Sequence, residues 1–403
     1  MLRVPILVLA AWSASSGAPQ ESRVHWKGVS YPAEALPEAA GEAARATAGA
    51  WAEWAAKSRY RLDLSDDARV LLATPASGAS VRGASTLVER AEVLFDRLLP
   101  APDRSQEPAA APAPEPSGRQ GPPPGELPED PEEGPAGLTP RVEPRAATET
   151  SWGTETRALD SATAVMFVLR DEAEYRWMLE RLGEQHEYLR PWIARAGEYT
   201  GFVLEQPLAG AFVMSAQGQE EWDARNELVN RVVQLLLLRR FGQEPHWLVQ
   251  GTAWHVEREL LGAIYCFPYR DEFVFAVEHT SWSNDLKRTF LERADAPVDL
   301  RELTDWRRGT YRGPAARLAW GLVSWCAQRR ARHLPEFLEA LRRFRDADNR
   351  QAKEDGTWTR DTEYVVPAEA QERILREILG ATALEEAAAW FRAGLPAGSE
   401  GGR

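Results

Sequence analysis

The chain has few of the residues that specialised sites most often use. Its 403 residues include two cysteines, six histidines and, among 48 basic residues, only four lysines. The formal net charge of −13 argues against nucleic acid as a partner, because phosphate binding needs a basic face. After residue 19, no window approaches the roughly 18 consecutive apolar residues that a membrane span requires.

Several catalytic signatures are missing as well. The sequence contains no Gly-x-Ser-x-Gly, no Walker loop, no Gly-x-Gly-x-x-Gly and no Cys-x-x-Cys. The two cysteines, Cys266 and Cys326, could pair or remain unpaired thiols, and the sequence leaves both possibilities open.

The N-terminus predicts export. Residues 1–18 carry one basic residue, Arg3, then the apolar stretch Val4–Trp12, then small residues up to Ala18, which is the pattern of a short secretory signal peptide. We therefore expect a mature protein that is secreted or periplasmic and soluble, with no membrane span once the signal is removed.

A proline-rich segment interrupts the chain. Fourteen prolines lie between Pro100 and Pro144, so residues 101–158 are predicted to be a disordered insertion. Residues 21–100 offer about one strand and two helices, which is too little for an independent core. The segment is therefore predicted to interrupt one α+β unit, which continues over residues 159–398.

The predicted fold class is α+β, a small sheet with flanking helices followed by a helical C-terminal part. A strand is expected over Ala164–Leu169 and a hairpin over Gly201–Leu204 and Gly210–Met214. Strong helices are expected over Trp222–Phe241, closed by Gly242, and over Leu248–Leu261.

Two stretches of these helices carry the functional prediction. The first is Asn226-Glu227-Leu228-Val229-Asn230, and the second runs from Pro245 through Trp247, Gln250 and His255 to Glu257. Together they resemble the zinc site of gluzincin metallopeptidases, the peptidase MA-like group. In that group a His-Glu-x-x-His helix supplies two ligands and the general base. A following helix, with a pattern like Pro-x-Trp-Leu-x-Glu-Gly-x-Ala-x-x-x-Glu, supplies the third ligand.

The resemblance implies that all three zinc ligands have been replaced. Asn226 and Asn230 stand at the two histidine positions and Gln250 at the glutamate position, while Glu227 remains at the general-base position. Zinc in proteins is held by imidazole, thiolate or carboxylate, and neutral amide oxygens are weak substitutes. We therefore expect no metal and no cofactor. Trp247, His255 and Glu257 complete the candidate binding residues.

Other interpretations of these residues stay open. Asn226, Asn230 and Gln234 also form the i, i+4, i+8 stripe of a solvated helix face, and Glu227 with Arg231 could be a surface ion pair. His255 could pack or cap locally, or could join a relocated metal site with Glu259 and either His246 or His279.

The functional expectation is an exported, non-catalytic metallopeptidase-like protein that binds a polypeptide or another envelope component in the former active-site cleft, with Glu227 and Gln250 at its floor. The alternative is an active secreted hydrolase with an atypical, zinc-dependent or metal-free site. A third possibility is an interaction protein that acts through the proline-rich segment.

Overall fold

A computed structural model describes most of the chain outside the N-terminus and the insertion. The described ranges are 23–76, 81, 83–101, 160–197, 200–214, 223–265, 278–293, 296–306, 311–349, 351–352, 358–359 and 364–395. The predicted signal peptide and residues 102–158 of the predicted insertion lie outside these ranges. No helix in the described ranges is long and apolar enough to cross a membrane.

Seven strands form one mixed sheet. They are β1 (Arg23–Trp26), β2 (Val29–Pro32), β3 (Tyr60–Leu64), β4 (Val70–Pro75), β5 (Ala164–Leu169), β6 (Gly201–Leu204) and β7 (Ala209–Val213). The order across the sheet is β2-β1-β3-β4-β5-β7-β6. Neighbours β1/β3, β4/β5 and β5/β7 are parallel, whereas β1/β2, β3/β4 and β6/β7 are antiparallel.

Helices cover the sheet and make up most of the C-terminal part. They are α1 (Glu42–Ser58), α2 (Ala84–Leu98), α3 (Glu172–Gln185), α4 (Arg190–Ala196), α5 (Ala224–Phe241), α6 (His246–Leu261), α7 (Glu278–Glu292), α8 (Arg301–Thr304), α9 (Gly313–Arg329), α10 (Leu334–Asp348), α11 (Ala368–Leu379) and α12 (Ala383–Arg392). The predicted α+β class, with its helical C-terminal part, is confirmed.

The strand count before the insertion was underestimated. Four strands, rather than about one, precede residue 101. Strands β1 and β2 have four residues each and β3 has five, and segments such as Arg23-Val24-His25-Trp26 mix polar and apolar residues. Such short runs give little periodic signal, so only β4, which is buried along its whole length, was recognisable.

The alternation of side chains along the central strands divides the interior into two cores. Leu72, Met166 and Val168 point to the face covered by α2, α5 and α6. Leu71, Phe167 and Leu169 point to the face covered by α1 and α3. Because the side-chain period of a strand is two, the same buried runs serve both faces.

Strands from both sides of the insertion pair directly. β4 lies parallel to β5, with Val70 opposite Ala164 and Ala73 opposite Phe167. The last turn of α5 forms hydrogen bonds with the chain on both sides of the proline-rich insertion. Arg240 donates to the carbonyl oxygens of Leu99 and Pro100, and Arg239 donates to those of Asp160 and Ala162. The flanking segments therefore build one sheet, and the chain leaves it and returns at one end of α5.

Candidate functional site

The two predicted motif stretches form an antiparallel helix hairpin. Asp223 caps the start of α5 by accepting a hydrogen bond from the backbone N–H of Arg225 at 2.9 Å. Helix α5 ends at Phe241 and is followed by Gly242, whose φ of +70° favours glycine. Helix α6 begins at His246, directly after Pro245. Trp222, where the sequence placed the helix start, lies outside the described residues.

The turn between α5 and α6 is fixed from outside the hairpin. Arg345 of α10 donates to the carbonyl oxygens of Phe241, at 3.0 Å, and of Gln243. A Cβ on Gly242 would lie 2.8 Å from the Arg345 guanidinium, so a side chain there would displace the arginine. Arg342 donates to the carbonyl oxygen of Arg240 at 2.8 Å. These bonds satisfy carbonyl groups that a helix end leaves unpaired.

A buried carboxylate lies at the open end of the hairpin, where the start of α5 meets the end of α6. Glu257 is fully buried and accepts hydrogen bonds from Asn226 Nδ2 at 2.6 Å, Asn230 Nδ2 at 3.1 Å and the backbone N–H of Tyr265 at 2.6 Å. Asn226 Nδ2 also donates to the carbonyl oxygen of Ala263 at 2.7 Å. We call Glu257, Asn226, Asn230 and the Tyr265 N–H the amide cradle.

The amide cradle offsets the unfavourable free energy of burying a carboxylate. An ionised carboxyl group away from water is strongly unfavourable unless hydrogen-bond donors replace its hydration. Two side-chain amides and one backbone amide supply those donors here. Gln234 extends the arrangement by donating to Asn230 Oδ1 at 2.6 Å, which orients the Asn230 amide with its nitrogen toward Glu257.

The solvated-stripe interpretation of α5 is wrong. Asn226 and Asn230 are each 1% exposed, so they belong to the interior and not to a wetted face. Glu227 and Arg231 do form an ion pair, but it is also buried, and Glu227 is 1% exposed. The Arg231 guanidinium lies against Gly201 of β6, where a Cβ would come within 2.9 Å of it.

Gln250 lies apart from the amide cradle. It is two turns before Glu257 on the same face of α6, which corresponds to about 10 Å along the helix axis. It is 4% exposed, and its Oε1 has no hydrogen-bond partner among the described residues. The carboxylate that contacts the two asparagines is therefore Glu257, and Gln250 is buried about two helical turns away from it on α6.

Trp247 and His255 occupy structural positions on α6. Trp247 is 2% exposed and donates from Nε1 to Gln371 Oε1 of α11 at 2.9 Å. His255 is partly exposed, and its Nδ1 lies 3.1 Å from Ser324 Oγ of α9. Desolvation, with a further contribution from Arg258, lowers the pKa of His255 to about 4, so the imidazole is neutral at physiological pH.

The residues at this site do not fit a zinc ion. The Asn226 and Asn230 atoms that face Glu257 are N–H donors, which cannot act as ligands, and Gln250 offers only a neutral oxygen. Within the described ranges, no group of three or more His, Cys, Asp or Glu side chains is placed to hold a metal. The His279 side chain and Cys266 lie outside those ranges, and Cys326 is a buried free thiol.

Sequence reasoning missed the partners that complete the site. These partners come from the segment that follows α6 or from distant helices, and no motif links them to α5 and α6. They are the Ala263 carbonyl, the Tyr265 N–H, Ser324, Gln371 and Arg345. Gln371, for example, is only 1% exposed. Its burial is explained by its hydrogen bond with Trp247, which the sequence does not reveal.

No protein-family model, curated protein or solved structure matches this chain. The resemblance to gluzincins therefore depends on the two motif stretches alone.

Replacing Glu257 with Gln tests the amide cradle. The substitution replaces one carboxylate oxygen with an NH₂ group, so at least one of the N–H donors of the cradle loses its acceptor. We therefore expect the free energy of unfolding to fall by about 1–3 kcal/mol. Glu259→Gln on the same helix is the matched control, because Glu259 is exposed, and its effect should stay within about 0.5 kcal/mol. Denaturant titrations of the three proteins provide the measurement, and equal effects of both substitutions would contradict the cradle.

Proposed function

We propose that this chain is an exported, non-catalytic metallopeptidase-like protein that binds an extended polypeptide. The observation that carries the proposal is the pair of amide hydrogen bonds from Asn226 and Asn230 to one buried carboxylate, Glu257. Export is inferred from the N-terminal sequence pattern, which lies outside the described residues.

The amide cradle has the form of a zinc site's outer shell without the ligands. A zinc-binding histidine usually donates its second ring N–H to a carboxylate, which orients the ring. Asn Nδ2 and His Nδ1 occupy the same place in their side chains, one bond beyond Cγ. Asparagine can therefore keep the hydrogen bond to Glu257 while lacking the outer nitrogen that would bind zinc.

Glu227 is poorly placed to act as a general base. Its carboxylate pairs with Arg231, and the side chain is 1% exposed. A base must lie within hydrogen-bond reach of the water or hydroxyl that it deprotonates. Without a metal to lower the pKa of that water, a buried and paired glutamate does not support peptide hydrolysis.

The position of strand β6 in the sheet favours a polypeptide as the ligand. It lies at one end of the sheet, and among the described strands it pairs only with β7. The backbone N–H of Val213 donates to the carbonyl oxygen of Thr200, so by alternation the N–H and C=O groups of Gly201 and Val203 point away from β7. A sheet edge with outward-pointing N–H and C=O groups is the kind of surface to which an extended peptide can add as another strand.

The substitution Val203→Pro tests the polypeptide-binding proposal. It removes an N–H on the outer edge and leaves the bonds to β7 in place, so we expect affinity for random peptides to fall at least about tenfold. Val203→Thr keeps the N–H and should bind like the parent. Fluorescence anisotropy with a labelled random peptide library measures the difference, and unchanged binding by Val203→Pro would eliminate β6 as the ligand edge.

Restoring the ligands tests the metallopeptidase relationship. We expect the triple variant Asn226→His, Asn230→His and Gln250→Glu to bind zinc through two imidazoles and a carboxylate, with water as fourth ligand. Single reversions should do little, because one or two ligands cannot hold the ion, and hydrolysis should be weak at best.

Glu257 supplies the control for this experiment. Adding Glu257→Gln to the triple variant should weaken zinc binding roughly 10–100-fold, since both new histidines would lose their orienting carboxylate. Isothermal calorimetry compares the parent, the single variants, the triple variant and the quadruple variant. A folded triple variant that binds zinc no better than the parent would show that these positions do not correspond to zinc ligands.

A further inference from the structure

Another buried carboxyl group, that of Glu92, lies near the opposite end of α5 from Asn226. Four elements meet there: the turn between β3 and β4, helix α2, the start of β5 and the last turn of α5. Thr163 Oγ1 donates to the carbonyl oxygen of Ala68 at 2.8 Å, and Arg239 Nε donates to that of Ala162 at 2.7 Å. We call the charged group at this place the corner cluster; its members are Asp67, Arg69, Glu92, Asp96 and Arg239.

Arg69 is already committed to two of the carboxylates. Its Nη1 and Nη2 each donate to Asp96 at 2.8 Å, and Nη2 also lies 3.2 Å from Asp67. The remaining N–H, on Nε, lies 3.6 Å from Glu92 Oε1 and has no hydrogen-bond partner among the described residues. Arg69 and Glu92 are therefore close enough to form an ion pair but do not form a hydrogen bond.

Glu92 is enclosed by groups from three elements. It is 3% exposed and accepts a hydrogen bond from Ser65 Oγ, in the turn between β3 and β4, at 2.9 Å. The charged groups around it are Asp96 on its own helix, Asp67 and Arg69 from the turn, and Arg239 from α5. Desolvation raises the pKa of Glu92 to about 7, Arg69 and Ser65 oppose the shift, and Asp67 and Asp96 add to it.

We propose that the corner cluster is a pH-sensitive latch, which holds the turn between β3 and β4 against α2 at acidic to neutral pH and loosens as the pH rises. When Glu92 ionises, three carboxylates share two arginines, and one of those arginines is already bonded to carbonyl oxygens of the chain entering β5. Local opening lets water reach the Glu92 carboxylate and removes this cost.

The direction of the effect follows from proton linkage. The closed corner retains a proton on Glu92 that the opened, hydrated carboxyl group would release near its ordinary pKa of 4.5. The stability that Glu92 contributes to the closed state is therefore complete below pH 4.5 and is lost as the pH rises through about 7.

Hydrogen exchange on the full-length protein tests the latch. The opening constant for amides of the turn between β3 and β4 is measured in the wild type and in Glu92→Gln, at about pH 6 and about pH 8. The wild-type/variant ratio removes the intrinsic pH dependence of exchange and should rise about tenfold between the two conditions. Glu53→Gln, an exposed position on α1, should behave like the wild type.

A ratio that is the same at both pH values would overturn the proposal. A second measurement does not depend on the stability of the variant. Carboxyl-carbon NMR of the wild type, with Glu92→Gln used only to assign the signal, should give a midpoint near 7 for Glu92. A midpoint at the ordinary value near 4.5 would equally contradict the latch.

Discussion

The hydrogen bonds from Asn226 and Asn230 to Glu257 are the interaction on which the functional interpretation depends. They join the start of α5 to the end of α6, and they satisfy a carboxylate that is fully buried. Loss of either amide would leave Glu257 short of a donor. Loss of Glu257 would remove the acceptor of Asn230 Nδ2 and one of the two acceptors of Asn226 Nδ2. The two helices are thus joined by amide donors that cannot themselves bind a metal.

The rest of the hairpin is positioned from its other end. Arg345 and Arg342 on α10 bind the carbonyl groups at the turn after α5, while Arg239 and Arg240 bind the chain on both sides of the proline-rich segment. One helix therefore carries a buried polar site at its start and the anchoring of a long insertion at its end. This placement explains how a large insertion is accommodated within a single sheet, because both of its ends are held against the same helical turn.

The fold was predictable where the sequence is strongly periodic or buried throughout. Strand β5 and helices α5 and α6 fall within a few residues of the predicted bounds. The short strands β1, β2 and β3 were missed, because four or five residues of mixed polarity do not distinguish a strand from a loop. The pairing of β1 with β3 joins two segments separated by α1, which no local sequence pattern reveals.

The candidate site was predictable in its residues but not in its contacts. The motif stretches identified Asn226, Asn230, Gln250 and Glu257. The resemblance implied that Gln250 lies with the two asparagines, whereas in the structure Glu257 contacts them. The i, i+4 spacing of Asn226 and Asn230 also fits a solvated helix face, and only their burial distinguishes a buried site from such a face. Burial depends on neighbours that the sequence pattern does not reveal.

The most direct test of the proposal that this site holds no metal is the zinc content of the natively purified protein, measured by mass spectrometry together with thermal unfolding before and after chelation. Because amides occupy the positions that the resemblance assigns to zinc ligands, we expect the protein to contain far less than one zinc per chain, and chelation to leave its melting temperature unchanged. One tightly held zinc per chain, whose removal lowers the melting temperature and abolishes a peptidase activity, would contradict a non-catalytic site.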